Sequence, residues 1–380
     1  MKILLVFGTR PEAIKLAPVY KRLVEKVGGE HVKICVTAQH RQMLDQVLGL
    51  FNISPDFDLD LMEPGQTLER LTSRVIIGVS EVLINWKPDI VLVQGDTTSC
   101  FASAIAAFYQ RIPVAHVEAG LRTGNLMAPW PEEMNRKLTA GIATLHFAPT
   151  LEAKNNLLKE NISEATIFVT GNTVVDALLL VVDKIHSQSG MLLGLKAQFS
   201  FLDPEKKIVL VTGHRRENFG GGFERICQAI LQIAADNDVE VVYPVHLNPN
   251  IKTVASSMLG GFKNIHLIEP LEYLPFVYLM NSAYLILTDS GGVQEEAPSL
   301  GKPVLVLRDT TERPEGVAAG IVQLVGTSSK KILAAANKLL KCDEYYKTVA
   351  KIHNPYGDGN ASQRISNIIL GENYSEFFIP

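Results

Sequence analysis

Short, uninterrupted apolar segments alternate with helix-length segments along the whole chain, and this pattern constrains the fold more than any other feature. The first series comprises Lys2–Gly8, Val32–Ala38, Ile90–Gly95, Val114–Glu118, His146–Pro149 and Ile167–Gly171. The second series comprises Lys207–Gly213, Val239–Val245, Ile265–Pro270, Leu285–Thr288, Pro303–Leu307 and Val322–Gly326. Continuous apolar runs are typical of parallel strands buried on both faces. The sequence therefore predicts an α/β fold with two doubly wound, Rossmann-like sheets.

Residues 172–203 separate the two series and are interpreted as the domain junction. They contain a predicted helix, Thr173–His186, followed by the Ser- and Gly-containing stretch Ser187–Gly190. We therefore expect an N-terminal domain over residues 1–171 and a C-terminal domain over residues 172–359. Two such sheets facing each other would form a cleft, and ligands of these sheets bind at the carboxyl ends of the strands. The functional residues are expected in the loops that follow the strands.

Charge and composition exclude several classes of protein. The chain has 36 Lys and Arg against 40 Asp and Glu, a formal net charge of −4, and no basic stripe, which argues against nucleic-acid binding. Its apolar runs are far shorter than the roughly 20 residues that cross a bilayer. The short apolar N-terminus lacks a small-residue cleavage pattern, so we expect a cytoplasmic protein. The four cysteines lie far apart, which predicts buried free thiols and neither disulfides nor a zinc site.

Charged side chains follow several predicted strands of the first half. Arg10 and Lys15 lie at the start of a predicted helix, where two cations favour anion binding. Asp96, Glu118 and Glu132 occupy three further loops. Each carboxylate alone has a structural reading: Asp96 as a helix N-cap, and Glu132 as a partner of a helix dipole. Three carboxylates at one edge of a sheet repel one another, which makes them candidates for general acid–base catalysis.

Two loops of the second half have the composition of an anion site. His214 and two arginines, Arg215 and Arg216, follow a very apolar strand. The segment Asp289–Glu296 contains Ser-Gly-Gly between a strand and a helix, and backbone N–H groups in such a turn can hold phosphate oxygens. The segment has neither a Walker pattern nor G-x-G-x-x-G, so a nicotinamide cofactor is not indicated. Arg313 is a further candidate phosphate partner.

Taken in order, these loops closely resemble the non-hydrolysing UDP-N-acetylglucosamine 2-epimerases of bacterial type. The matching segments span nearly the whole chain and are Phe7–Lys15, Gln94–Thr98, His116–Arg122, Pro131–Arg136, Gly213–Asn218, Thr288–Pro298, Asp309–Pro314 and Asn354–Gly359. The resemblance implies a GT-B-type architecture, with two Rossmann-like domains around a nucleotide-sugar cleft, usually in a homodimer. It also implies that the C-terminal helix, within residues 360–380, packs back on the first domain.

The resemblance further implies reversible conversion of UDP-GlcNAc to UDP-ManNAc for cell-surface polysaccharide synthesis, with no metal or other cofactor. The C2 hydrogen of the sugar is not next to a carbonyl, so the expected route eliminates UDP, forms 2-acetamidoglucal and adds UDP back. The catalytic candidates are Lys15, Asp96, Glu118, Glu132 and His214. The UDP-binding candidates are Arg10, Leu271, Phe276, Ser290, Gly291, Gly292, Glu296 and Arg313. The sequence does not assign which carboxylate removes the C2 proton and which returns one.

Bacterial-type members often bind a second UDP-GlcNAc as an activator beside the active site. The residues that match this pattern are Gln39, Gln42, Arg215 and His246, whereas Gly65 stands where some members carry an arginine. Phe276 has an alternative role in core packing, and Leu271 would offer only its backbone to the uracil. Three other functions stay open at this point: a GT-B-type glycosyltransferase, a hydrolysing epimerase that releases free ManNAc, and a non-catalytic nucleotide-sugar sensor.

Overall fold

The computed structural model describes residues 1–37, 41–63, 65–213, 215 and 220–378, without the side chains of Arg41, Gln42 and Asn250. Within this part the chain divides into two compact units. Unit 1 comprises Met1–Ala177 and Tyr356–Pro380, and unit 2 comprises Leu178–Pro355. The first division therefore falls inside a helix that begins at Thr173, a few residues beyond the boundary expected from the sequence.

Unit 1 is built on a seven-stranded parallel sheet. Its strands are β1 Ile3–Phe7, β2 Val32–Val36, β3 Phe57–Asp58, β4 Ile90–Gln94, β5 Val114–Val117, β6 Leu145–Ala148 and β7 Ile167–Val169, in the spatial order β3-β2-β1-β4-β5-β6-β7. Every residue of β1 and β4 is buried, as the continuous apolar runs require. The two-residue strand β3 was not predicted, because Phe57 and Asp58 do not form an apolar run.

Helices cover the faces of this sheet. They are α1 Arg10–Val27, α2 Arg41–Phe51, α3 Leu68–Trp86, α4 Thr98–Tyr109, α5 Glu132–Ile142, α6 Leu151–Lys159 and α7 Thr173–Ser187, the last of which continues into unit 2. Pro11 lies in the first turn of α1, where its missing N–H group costs no hydrogen bond. None of the helices in the described residues combines the length and the apolar character needed to cross a membrane.

Unit 2 contains a six-stranded parallel sheet. Its strands are β8 Lys207–Thr212, β9 Val239–Pro244, β10 Ile265–Ile268, β11 Leu285–Thr288, β12 Val304–Val306 and β13 Val322–Leu324, in the order β10-β9-β8-β11-β12-β13. Its helices are α8 Ser189–Gln198, α9 Gly221–Asp236, α10 Pro249–Leu259, α11 Tyr273–Ser282, α12 Gly291–Glu296, α13 Pro314–Ala319, α14 Ser329–Lys341 and α15 Asp343–Ala350. This strand order is that of a Rossmann fold. The predicted α/β class with two doubly wound parallel sheets is confirmed.

The structure adds one helix to the sequence prediction and corrects one expectation. In the Ser- and Gly-containing stretch after α7, Ser189 and Gly190 open helix α8, in which Leu195 is buried. Serine and glycine at a helix start are compatible with helix formation. The cysteines Cys35, Cys100 and Cys227 are buried free thiols, as expected, whereas Cys342 is exposed.

The last helix returns to unit 1. Helix α16, Ala361–Ile369, packs on α1. The Asp176 carboxylate in α7 accepts hydrogen bonds from the backbone N–H groups of Ala361 and Ser362, at 3.3 and 2.7 Å. It thereby satisfies donors at the N-terminus of α16 that have no partner within the helix. The N–H group of Phe377 donates to the carbonyl of Val169, so the C-terminal segment extends along the edge strand β7.

Candidate functional site

The order of the strands brings the predicted loops of unit 1 together. Strands β1, β4 and β5 are neighbours in the sheet, and the loops after them carry Arg10, Asp96 and Glu118. The carboxyl ends of parallel strands lie at the same edge of a sheet, which is where such folds bind ligands. Arg10 is half-buried and is the first residue of α1.

Glu118 and Lys15 form a buried ion pair. The Lys15 Nζ atom lies 2.7 Å from Oε1 and 2.6 Å from Oε2 of Glu118. The exposed fractions of the two side chains are 15% and 5%. Gln94 donates from Nε2 to the same carboxylate, and Asn172 Nδ2 lies 3.5 Å from Oε1. A buried carboxylate is tolerated only when it is paired and hydrogen-bonded, and Glu118 meets both conditions.

The backbone at Glu118 is also unusual. Its φ is +64°, in the left-handed region that non-glycine residues adopt rarely. Strand β5 ends one residue earlier, at Val117, so Glu118 belongs to the turn and not to the strand end that the sequence predicted. At Gly120, with φ +94°, an added Cβ atom would lie 2.2 Å from the carbonyl oxygen of Ala153. The turn after β5 therefore packs tightly on α6.

Asp96 is held by α5. Its Oδ2 atom accepts hydrogen bonds from Nε and Nη2 of Arg136, at 2.8 and 2.7 Å, and its backbone carbonyl accepts one from Asn135 at 2.9 Å. The alternative role of Asp96 as the N-cap of α4 is wrong, because Thr97 occupies that position and its Oγ1 accepts from the N–H group of Cys100. The Asp96 side chain is 27% exposed, so it is both oriented and accessible.

The first turn of α5 contains the third candidate carboxylate. Glu132 is half-buried and is the first residue of the helix. The next residue, Glu133, is fully buried and accepts from the N–H groups of Thr123 and Gly124, at 3.1 and 3.0 Å, and from Arg136 Nη1 at 2.9 Å. Glu133 thus fixes the loop that connects β5 with α5.

His116 contacts the residue that precedes Asp96. Its Nε2 atom lies 2.7 Å from the carbonyl oxygen of Gly95. Burial is the main cause that lowers the pKa of His116 to about 3, and the neutral ring must carry its hydrogen on Nε2 because a carbonyl oxygen only accepts. The described loop is therefore fixed before Asp96 by His116 and at Asp96 by Asn135.

In unit 2, a glycine lets an arginine approach the start of α12. Ser290 is the N-cap residue, and Gly291 and Gly292 form the first turn of the helix. A Cβ atom added at Gly291 would lie 3.3 Å from Cζ of Arg313. Arg313 Nε donates to Oε1 of the buried Glu295 at 2.8 Å. An arginine beside a helix N-terminus is a favourable environment for phosphate oxygens.

The opposite end of α12 meets α11. The Tyr273 hydroxyl donates to Oε1 of Glu296 at 2.6 Å, which orients this carboxylate. Leu271 precedes α11 and Phe276 lies in its first turn, and both are half-buried. In the loop after β12, Glu312 binds both Nη atoms of Arg308, at 2.9 and 3.2 Å. Burial by itself would raise the pKa of Glu312, but the Arg308 hydrogen bonds, a backbone hydrogen bond and the charges of Arg308 and Arg313 together outweigh burial and lower the pKa to about 2.

The residues expected to bind an activator are only partly described. The N–H group of Arg215 donates to Oδ2 of Asp289 at 2.9 Å. His246 is exposed just after β9, and its Nδ1 accepts from the N–H group of Asn248 at 3.1 Å. His214, Gln39 and the side chain of Gln42 lie outside the described residues. Within residues 1–37, 41–63, 65–213, 215 and 220–378, no group of three His, Cys, Asp or Glu side chains could hold a metal ion.

Sequence reasoning did not select the partners of the candidate carboxylates. The motifs contain these partners, Arg136, Gln94 and Glu295, but the sequence assigned no role to them. Their spacing in the sequence indicates only some of their contacts. Arg136 follows Glu133 by three residues, the spacing at which side chains meet on a helix, but its contact with Asp96 depends on the order of the strands.

Comparison with known proteins relates this chain to one family. A family model described as UDP-N-acetylglucosamine 2-epimerase matches residues 24–370. The UDP-N-acetylglucosamine 2-epimerase of Escherichia coli O157:H7 is 59% identical over 366 residues, which cover 96% of this chain and 97% of the relative. The structure of UDP-GlcNAc 2-epimerase from Neisseria meningitidis bound to UDP-GlcNAc has a TM-score of 0.89 at 52% identity, and covers 98% of this chain and 100% of its own.

A more distant structure gives the same relationship. UDP-GlcNAc 2-epimerase from Methanocaldococcus jannaschii, in complex with UDP-GlcNAc and UDP, has a TM-score of 0.79 at 37% identity. It covers 98% of this chain and 100% of its own. The similarity therefore extends through both units and is not restricted to one sheet.

Proposed function

The chain belongs to the UDP-N-acetylglucosamine 2-epimerase family, and we propose that it interconverts UDP-GlcNAc and UDP-ManNAc by reversible inversion at C2 of the sugar. As a member of this family it is an isomerase. The observation that carries the proposal is the pair of carboxylates after the neighbouring strands β4 and β5. Asp96 is oriented by Arg136 and Glu118 by Lys15, in a chain that resembles these epimerases from end to end.

The proposed reaction begins with cleavage of the bond between C1 and the bridging oxygen. UDP leaves with the electron pair, C1 gains positive character, and the C2 hydrogen becomes acidic. A base removes that proton, and the electron pair of the C2–H bond forms a C1–C2 double bond, which gives 2-acetamidoglucal. An acid then adds a proton to C2 from the opposite face, and a β-phosphate oxygen attacks C1. Atoms and charge balance without a redox step.

Unit 1 supplies the proton-transfer groups in this proposal. Asp96, Glu118 and Glu132 are its candidates for base and acid, whereas His214, in the second half of the sequence, is a further candidate near the leaving oxygen. Lys15 Nζ lies within hydrogen-bonding distance of both Glu118 oxygens and so orients this carboxylate. Fixed geometry matters here, because a proton can move only between groups within hydrogen-bonding distance.

Unit 2 supplies most of the UDP-binding groups. Ser290, the N–H groups of Gly291 and Gly292, and the Arg313 guanidinium would stabilise the charge that develops on the diphosphate. Glu296, oriented by Tyr273, would accept hydrogen bonds from the ribose hydroxyls. Leu271 and Phe276 would contact the uracil, and Arg10 of unit 1 would add a further positive charge for the diphosphate.

Four finer attributes belong to the proposal, and all but the location come from the family resemblance. They are a cytoplasmic location, a homodimer, a role in cell-surface polysaccharide synthesis, and activation by a second UDP-GlcNAc. Arg215 and His246 are the described candidates for the activator site.

The test is NMR spectroscopy of UDP-GlcNAc incubated with the purified protein in heavy water. The proposal predicts UDP-ManNAc as the product, with deuterium at C2 of both sugars, and UDP and 2-acetamidoglucal as minor species. Free ManNAc as the main product would identify a hydrolysing enzyme instead. Turnover only after addition of an alcohol or glycan acceptor would identify a glycosyltransferase. Binding of UDP-GlcNAc without any exchange at C2 would leave the sensor function.

A further inference from the structure

Glu12 lies in the first turn of α1 and is 1% exposed. Its Oε2 atom accepts hydrogen bonds from the N–H groups of Gly8 and Thr9, at 3.0 and 2.8 Å, and from the Thr9 hydroxyl at 2.7 Å. This arrangement is a capping box, which satisfies backbone donors at a helix start. Capping explains the contacts of Oε2, but it leaves the contacts of the second carboxylate oxygen, Oε1, without a role.

The second oxygen connects Glu12 to another loop. Oε1 accepts a hydrogen bond of 2.6 Å from the hydroxyl of Thr97, which is 85 residues away and follows Asp96 directly. The Thr97 hydroxyl accepts in turn from the N–H group of Cys100 and so caps α4. One carboxylate therefore joins the starts of α1 and α4, the two helices that follow the neighbouring strands β1 and β4.

The backbone at Gly8, after β1, is also enclosed by Thr37, which follows β2, and by Ser99 in the first turn of α4. The Thr37 and Ser99 hydroxyls are hydrogen-bonded at 2.8 Å. A Cβ atom at Gly8 would lie 2.1 Å from the Thr37 oxygen and 2.5 Å from the Ser99 oxygen. The backbone at Gly8 is therefore packed closely against these two hydroxyls, which holds the start of α1 against the first turn of α4 at a second point.

We propose that Glu12 is a positioning residue for the C2 epimerisation, and that its link to Thr97 fixes Asp96 relative to Arg10 and Lys15. The inference rests on the proposed function, because Asp96 matters in this way only if it acts on the sugar. Glu12 is 1% exposed and both of its carboxylate oxygens already accept hydrogen bonds within the protein, so the proposed role is indirect. Burial raises its pKa, and the four hydrogen bonds that it accepts oppose this rise. Capping a helix start does not by itself require a buried carboxylate, so the burial of Glu12 points to a role beyond capping.

Two variants remove the link from opposite sides. Glu12→Gln preserves the capping box, which accepts glutamine at this position, but its amide group cannot accept at both ends. Thr97→Val removes the hydroxyl donor with nearly the same shape. Thr150→Val is the matched control, because Thr150 caps α6 of the same unit by accepting from the N–H group of Ala153.

Both link variants are expected to lower kcat about ten- to hundredfold, with KM for UDP-GlcNAc changed by less than about threefold. The double variant should be no slower than the slower single variant, because each substitution alone already removes the same hydrogen bond between Thr97 and Glu12. Thr150→Val should lower Tm and leave kcat unchanged. A kcat within about twofold of the parent in both link variants, or effects that multiply in the double variant, would overturn the proposal. If Glu12→Gln fails to fold, Thr97→Val decides alone.

Amide hydrogen exchange tests, independently of turnover, whether Glu12 holds the two loops together. In Glu12→Gln, exchange is expected to increase in residues 94–101 as well as at the start of α1, because the two loops are held together. An increase confined to the start of α1 would show that Glu12 is a cap only. A parent protein that exchanges no deuterium at C2 would contradict the proposed function itself, and the positioning role with it.

Discussion

Lys15 and Glu118 form a two-point ion pair across 103 residues of sequence, with Nζ 2.7 Å from Oε1 and 2.6 Å from Oε2. The pair joins the helix after β1 to the turn after β5, although β4 lies between these strands in the sheet. It therefore ties together the two flanks of the loop that carries Asp96. Neither charge is well solvated, so each depends on the other.

Lys15→Met is expected to destabilise the protein by about 3 kcal/mol, because it removes the ammonium group that binds both oxygens of the buried Glu118 carboxylate. Urea unfolding measures this loss. The double variant Lys15→Met/Glu118→Gln removes both charges and should recover most of the stability. If the double variant is as unstable as Lys15→Met, the ion pair does not account for the cost.

Asp96→Asn is expected to lower kcat about a hundredfold or more, since the amide keeps the shape of the carboxylate but not its basicity. Binding of UDP, measured by titration calorimetry, should change by less than about threefold, because most UDP-binding candidates lie in unit 2. Asp236→Asn, an exposed position at the end of α9, serves as the control. Near-normal epimerisation by Asp96→Asn would show that Asp96 takes no part in the chemistry.

Arg313→Ala is expected to raise the Kd for UDP about ten- to hundredfold, since a charge-assisted hydrogen bond to phosphate is lost. The control is Arg225→Ala, which removes an arginine of the same unit that binds Thr327. Unchanged affinity in Arg313→Ala would place the diphosphate elsewhere. Stability must be measured in parallel, because the substitution also removes the ion pair between Arg313 and the buried Glu295.

His116→Gln is expected to flatten the dependence of stability on pH. The pKa of His116 is about 3 in the folded protein and near 6.5 in the unfolded chain, so below pH 6.5 the unfolded state binds one more proton. Stability is thus present above pH 6.5 and is lost as the pH falls toward 3. Between pH 7.5 and 4.5 the parent should lose about 2 kcal/mol more than His116→Gln in urea unfolding.

The control for this titration is His31→Gln, because the His31 side chain is exposed. It should show the same pH dependence as the parent. Equal slopes for the parent and His116→Gln would mean that His116 is protonated in the folded state, and that its Nε2 contact with Gly95 does not require a neutral ring.

The sequence predicted the class of the fold well, because buried parallel strands leave a direct trace in continuous apolar runs. Strand β3 left no such trace, since Phe57 and Asp58 pair with β2 at the edge of the sheet over two residues only. Helix α8 was missed because serine and glycine are equally common in linkers and at helix starts.

For the candidate site, the sequence indicated the carboxylates but not their partners. Asp96 and Glu118 stood out because charged residues directly follow apolar strands. Arg136 binds Asp96 across 40 residues, and this contact follows from the strand order β1-β4-β5, which local patterns do not encode. The same is true of Glu12, whose capping-box spacing is visible in the sequence but whose link to Thr97 is not.

The most direct test of the account is positional isotope exchange in UDP-GlcNAc that carries oxygen-18 in the bridge between C1 and the β-phosphorus. If UDP is eliminated and added back, the label should spread over the β-phosphate oxygens of the recovered nucleotide sugars, which phosphorus NMR detects. Formation of UDP-ManNAc while the label stays in the bridge would contradict cleavage of the C1–O bond, and with it the proposed mechanism.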